Sequence, residues 1–324
     1  MVATTRKTRP RSRPKSAPAP ANEPEAIFVV GVSRSGTTLL RTILQQSERI
    51  AIAMENHYVG HVVRGYGARE QFRRLGELSD DETVRRIVEF VYSGEMQRRS
   101  RLREISPFWR WLIREIPPAE VEQRLLAAER SEKGIWAALL RLYADFHGRA
   151  VMGEKTPAHL AFADTLLEWF PRSRIVHIVR DPRAVYVSDT RRRRDRPTAP
   201  YGWLMRMPLA FETVMLVQTV LAWSAAARRH WRLVREHSGH YTMIRFEDLV
   251  RRPDEVLPAL FDFLGVALPA TVTDVKVVSR GFNLGEAGFD AGAADRWRAH
   301  IHPFAARFLR LFLGRAMRRL GYTD

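Results

Sequence analysis

Apolar residues fall into two rhythms along this chain. Short, nearly continuous runs occur at 26–32 (AIFVVGV), 50–53 (IAIA), 150–153 (AVMG), 174–179 (RIVHIV) and 241–246 (YTMIRF). Runs of that length with few polar breaks predict parallel strands covered on both faces. Between them lie stretches with helical spacing and helix start signals. Ser79-Asp80-Asp81-Glu82 reads as a capping box, and Thr156-Pro157 as an N-cap with proline at the first helical position. The alternation predicts an α/β fold with a doubly wound, mainly parallel sheet flanked by helices. Residues 59–146 are mostly helical and long for one crossover, which predicts a helical insertion beside the sheet. Residues 208–236 read as a long buried helix. The uncharged apolar-rich stretch within it, 213–227, is shorter than the ~20 residues of a bilayer span, so no transmembrane segment is expected.

The first 25 residues follow neither rhythm. Arg6, Lys7, Arg9, Arg11, Arg13 and Lys15 stand among prolines with no apolar run. Such a segment cannot bury enough surface to fold alone and lacks the apolar core of a signal peptide. A disordered basic tail, 1–25, and one folded domain, 26–324, are expected. The composition of the whole, 45% apolar and 27% charged over 324 residues, is globular. With no cysteine, a disulfide framework, a thiolate nucleophile and a Cys-ligated metal site are excluded. The net charge of +17 points to an anionic partner, either nucleic acid, a phospholipid headgroup or a phosphorylated small molecule. Only five of the 53 basic residues are lysine. The arginine excess reads as compositional bias, which makes each lysine worth tracing.

The first run ends in chemistry. After Ile27-Phe28-Val29-Val30 come Gly31-Val32-Ser33-Arg34-Ser35-Gly36-Thr37-Thr38, then an amphipathic helix. A polar turn between a strand and a helix N-terminus aims backbone N–H groups at a phosphate. The spacing approaches the P-loop pattern G-x-x-x-x-G-K-[ST], with Gly31, Gly36 and Thr38 in place but Thr37 in the lysine slot. That loss argues against ordinary ATP or GTP hydrolysis. The cation stands inside the loop instead, at Arg34. A second strand end, Arg174 to Arg180, leads through Asp181-Pro182 into a helix carrying Ser188. Arg180 and the Ser188 hydroxyl, two turns in, are placed to converge on one anion. The Arg191–Arg194 run follows and reads as a solvated face or a steering patch.

These motifs resemble the sulfotransferases that use 3′-phosphoadenosine-5′-phosphosulfate (PAPS). GVSRSGTTLLR, residues 31–41, is especially similar to the protein-tyrosine branch. The likeness spans roughly 26–56, 150–190 and 240–321. It implies a P-loop-like fold in which Arg34, Ser35, Gly36, Thr37 and Thr38 hold the 5′-phosphosulfate, and Arg180 and Ser188 the 3′-phosphate. Arg296-Trp297 is similar to a basic–Trp pair covering the nucleotide, which makes Arg296 a further phosphate ligand, with Ser279 and Asn283 also candidates. Phe246 stands where several members have a nucleotide-contacting tyrosine, whose hydroxyl it lacks.

Sulfuryl transfer needs positioning, fixed positive charge and a base, with no metal. Arg34 is one cation. Lys155, at a strand end before Thr156-Pro157, is the other, and the family has a catalytic lysine in a similar setting. Glu55 follows the 50–53 run and matches the branch's general base; His57 is the competing base. His57 and His61 stand at i,i+4 without a third metal ligand. The expectation is a cytoplasmic PAPS-dependent enzyme with an unidentified acceptor and no stable nucleic-acid partner. A protein-tyrosine acceptor is not implied, because that branch is membrane-anchored and disulfide-bonded. The rival readings are a kinase or nucleotide hydrolase with an atypical P-loop, and a nucleic-acid-binding protein.

Overall fold

The structure is a computed structural model that describes residues 23–60, 67–99, 106–197, 201–272 and 288–323. Most of the basic tail, His61, Ser279 and Asn283 lie outside the described residues. The elements are β1 Ala26–Gly31, α1 Thr37–Leu44, β2 Ile50–Ala53, α2 Ala68–Arg73, α3 Asp81–Tyr92, α4 Glu95–Arg99, α5 Pro107–Glu115, α6 Pro118–Leu126, α7 Glu132–Phe146, β3 Val151–Lys155, α8 Ala163–Trp169, β4 Arg174–Val179, α9 Pro182–Asp195, α10 Tyr201–Leu204, α11 Pro208–Glu236, β5 Tyr241–Arg245, α12 Phe246–Arg251, α13 Pro253–Leu264 and α14 Pro303–Arg319.

All five apolar runs are strands of one parallel sheet, in the order β2-β3-β1-β4-β5. β1 is central, and its side chains alternate between two cores. Phe28 and Val30 face Trp136 of α7 and Phe170. Ile27 and Val29 face Leu40 and Leu44 of α1 and Phe261 of α13. This two-sided cover is why the strand runs carry almost no polar residue. The chain adds β2 and β3 on one side of β1, then crosses to add β4 and β5 on the other. That reversal opens a crevice beyond the C-terminal ends of β1, β3 and β4, where ligands of such sheets bind.

Three local expectations change. The cap of α3 is Asp80, which accepts from the Glu82 N–H at 3.0 Å, in place of Ser79. Pro157 opens a 3₁₀ turn, Pro157–Phe162, and Thr156 caps nothing with its side chain, because its hydroxyl bonds the buried Glu154 carboxylate. Finally, α11 is not buried all round. Phe211, Met215 and Trp223 join the core shared with Leu309 and Leu313 of α14, whereas Leu209 is 86% and Leu221 63% exposed. By length and composition alone α11 is apolar enough to cross a membrane, but its inner face is occupied by protein.

A buried polar cluster joins β4, β5 and α11. The Tyr241 hydroxyl lies 2.7 Å from His177 Nδ1 and 2.8 Å from His230 Nδ1. Burial, aided by mutual repulsion, pushes His177 down to about 3, and burial pushes His230 down to about 4. Both imidazoles are therefore neutral in the folded chain. Because the folded values lie below the ordinary ~6.5, the unfolded chain takes up protons first as pH falls. The stability is fully present above about pH 6.5 and is lost below it. From pH 7 to 5 the loss should be roughly 2 kcal/mol per histidine. Urea unfolding at the two pH values measures it, and an unchanged midpoint would contradict the neutral assignment.

Candidate active site

The crevice is built from three strand ends. At β1, the Ser35 N–H closes a turn on the Val32 carbonyl at 3.1 Å, and α1 starts from Gly36 with no side-chain cap. The first N–H groups of α1 therefore lack a capping side chain and point into the crevice. Gly36 has φ 106°, and a Cβ there would stand 2.5 Å from the Phe246 ring, so only glycine fits. Thr37 is buried and Thr38 exposed on the first turn. Among the described residues the only non-glycine positions with positive φ are Arg34 (73°) and His57 (51°). Both stand at this crevice, and such backbone costs of order 1 kcal/mol each.

Arg34 and Ser188 meet directly: Arg34 Nε donates to Ser188 Oγ at 3.1 Å. Burial lowers the Arg34 pKa, and repulsion from Arg192 adds to it, against the attraction of Asp189 and Glu55. Arg180 approaches the same loop, donating to the Arg34 carbonyl at 3.3 Å and the Ala293 carbonyl at 2.9 Å. Its guanidinium lies 4.2 Å over the Phe246 ring. Phe246 thus acts here as a platform for Arg180 and a wall for Gly36. The start of α9 is fixed from outside the loop. Asp181 accepts from the Arg183 N–H at 2.8 Å, and the buried Glu247 carboxylate accepts from the Asp181 N–H at 3.0 Å. Burial raises the pKa of Glu247, against the hydrogen bonds it accepts.

At β3, Lys155 is nearly buried and its ammonium contacts Glu55 Oε1. Burial pushes the Glu55 carboxyl up. The charge and hydrogen bond of Lys155 outweigh it, with smaller help from His57 and Arg192, so Glu55 is held below its ordinary value. His57 Nε2 stands 3.9 Å from the other Glu55 oxygen. The structure therefore brings Glu55, His57 and Lys155 together, and separately gathers Arg34, Ser188 and Arg180. It leaves Arg296 in an ion pair with Asp290, three residues beyond the Ala293 carbonyl that receives Arg180.

One positioning cluster escaped the sequence reading. Glu154, wholly buried, accepts from Thr156 and lies 3.1 Å from His159 Nδ1. It also reaches the Asn56 N–H at 3.4 Å, beside Thr156 Oγ1 at 3.3 Å. The Asn56 carbonyl in turn accepts from Trp109 Nε1 at 3.0 Å, and the Glu55 carbonyl from the Phe108 N–H at 3.3 Å. The loop that presents Glu55 is thereby tied to the end of β3 and to α5. The apolar run stops at residue 153, so nothing in the sequence marks Glu154 as a buried acid that needs partners.

At the loop itself, the buried Ser35 Oγ and Arg180 Nε have no hydrogen-bond partner among the described residues. A buried donor with no partner is costly. Together with the uncapped α1 and the gathered cations, they fit an anionic nucleotide with phosphates at two positions. The fold is that of an α/β protein of the P-loop-like class. Within that class, the sequence matches the model of the sulfotransferase family across residues 24–270. The chain belongs to that family, and its class of reaction is sulfuryl transfer. No curated protein matches the chain significantly. Among solved structures it resembles the sulfotransferase domain of the Synechococcus PCC 7002 olefin synthase, with TM-score 0.55 and 20% identity over 99% of this chain and 100% of that one. It also resembles the sulfotransferase domain of the curacin biosynthetic pathway, with TM-score 0.54 and 19% identity over 93% and 98%. At these identities the likeness establishes the fold.

Proposed function

We propose that the chain transfers a sulfuryl group from PAPS to an acceptor hydroxyl or amine. The observation that carries the reading is the arrangement of two cation groups about one crevice, with a carboxylate held by Lys155 between strand ends. On this reading the 33–38 loop and α1 hold the 5′-phosphosulfate, and Arg180 with Ser188 the 3′-phosphate. PAPS supplies an activated sulfur whose bond to the phosphate oxygen breaks as the acceptor oxygen or nitrogen bonds to it. Arg34 and Lys155 stabilise the charge left on that phosphate oxygen, and Glu55 takes the acceptor's proton. Neither cation requires a metal. Arg296 serves as a donor ligand only if its pair with Asp290 opens.

Thermal unfolding with 3′-phosphoadenosine-5′-phosphate (PAP) against ATP, each with and without Mg²⁺, tests the donor. Stabilisation by PAP alone is expected; stabilisation only by ATP with Mg²⁺ would favour a kinase. Strongly salt-dependent binding of nucleic acid with no nucleotide effect would favour the remaining rival. Glu55→Gln should keep PAP stabilisation and lose about 10²-fold in transfer. The pH profile separates the two bases. With Glu55, kcat/KM in the wild type should stay level down to below the ordinary carboxylate range. A histidine base would bring the fall near the ordinary imidazole value of about 6.5.

A further inference from the structure

Four consecutive arginines, 191–194, sit on the second half of α9, and three are ion-paired. Arg191 reaches Asp195 at 3.8 Å. Arg193 reaches Asp189 at 3.6 Å and lies 4.0 Å over the Tyr201 ring. Arg194 pairs with Glu212, which also takes the Tyr186 hydroxyl. The side chain of Arg192 has no hydrogen-bond or ion-pair partner among the described residues, and it is exposed. Its place is set by Ser188, one helical turn earlier on the same face of α9. Residues four apart on a helix stand about 5–6 Å from each other along one stripe. Since Ser188 is held by Arg34, that stripe faces the crevice. The charge of Arg192 is felt by both Arg34 and Glu55, so it lies toward the base, one turn beyond the residues assigned to the donor.

From this placement we propose that Arg192 recognises an anionic group, a carboxylate or a phosphate, on the acceptor. The inference rests on the sulfotransferase reading and supplies its substrate class: an acceptor that carries a negative charge as well as its nucleophilic hydroxyl or amine. A guanidinium is suited to such a group because its planar fork takes two oxygens at once. Bound there, the anion offsets the repulsion between Arg192 and Arg34. It also weakens the pull of Arg192 on the Glu55 carboxylate, leaving Glu55 a stronger base when the acceptor is seated.

The test uses the full chain saturated with PAP, so that the phosphate loop is filled, and titrates inorganic phosphate by calorimetry. Arg192→Ala should weaken phosphate binding at least tenfold, while Arg191→Ala should leave it unchanged. In transfer from PAPS, 4-hydroxyphenylacetate should be preferred to 4-methylphenol, and Arg192→Ala should reduce that preference at least tenfold. Arg192→Glu should turn it toward tyramine. Equal phosphate affinity in wild type and Arg192→Ala overturns the inference, as does an equal loss for the charged and neutral phenols. If neither phenol is turned over, the phosphate titration decides alone. Absence of PAP stabilisation in the wild type defeats the donor reading itself; PAP stabilisation without an Arg192-dependent phosphate site defeats only this inference.

Discussion

Lys155→Ala is expected to slow sulfuryl transfer about 10³-fold, with a smaller loss in PAP binding. The lysine ends β3, opposite Val29 of β1 in the sheet register, and is nearly buried against Glu55. A fixed cation in a water-poor crevice acts where charge develops in the transition state, and removal of one such group typically costs 10²–10³-fold in kcat. A second effect is specific to this pair. Burial raises the Glu55 pKa and Lys155 is the main force lowering it. In Lys155→Ala the acid limb of the kcat/KM profile should therefore move to higher pH. Lys155→Arg keeps the charge but not its compact shape and should recover only part of the rate. Wild-type turnover in Lys155→Ala would remove the residue from the chemistry. A lost rate with an unmoved acid limb would instead detach Glu55 from it.

Arg180→Ala should abolish the stabilisation by PAP. The guanidinium bonds two carbonyls, of Arg34 and Ala293, stacks on Phe246, and keeps one buried N–H without a partner. Burial lowers its pKa, with Glu247 the largest opposing influence. A buried charge-assisted contact to a phosphate is among the stronger single interactions. Its loss should raise the Kd for PAP at least ~100-fold, or about 2.7 kcal/mol. Removing the side chain also strips two carbonyls of their donor, so the unliganded chain should itself be less stable. The readout is therefore the difference in Tm with and without PAP. Arg180→Lys should stabilise the chain more than alanine yet bind PAP poorly, because an ammonium cannot serve both carbonyls and a phosphate. An unchanged PAP shift in Arg180→Ala would move the 3′-phosphate elsewhere.

How far all this could be read from the sequence depends on the range of the interaction. The strands were legible because a covered parallel strand must be apolar along most of its length, as β1 is. The apolar run ends at residue 153, two residues before β3 does. Glu154 and Lys155 look like a loop in sequence, and their partners, Thr156 apart, include Glu55 and Asn56 about a hundred residues away. The apolar block of α11 predicts burial all round; that only one face is covered depends on α9 and α14. The motif residues were visible as motifs, but the order β2-β3-β1-β4-β5 that gathers them was not. Ser188 was expected beside Arg180, whereas the structure bonds it to Arg34. Arg192 was hidden in its run. Four identical letters carry no sign of which one lacks a counter-ion, and only the neighbours Asp189, Asp195 and Glu212 separate them.

Phe246 has a bearing on how such a site changes over time. One face of its ring carries Arg180, and its edge leaves no room for a Cβ at Gly36. The loop and the guanidinium are thus in contact with one side chain, and substitutions at Gly36, Arg180 and Phe246 should not act independently. A larger residue at position 36 would meet the strain of φ 106° and would also need a smaller side chain at 246, which would in turn deprive Arg180 of its platform. Drift in this lineage should therefore move the three positions together or not at all. Relatives that keep Gly36 should keep a flat ring at 246 far more often than chance allows.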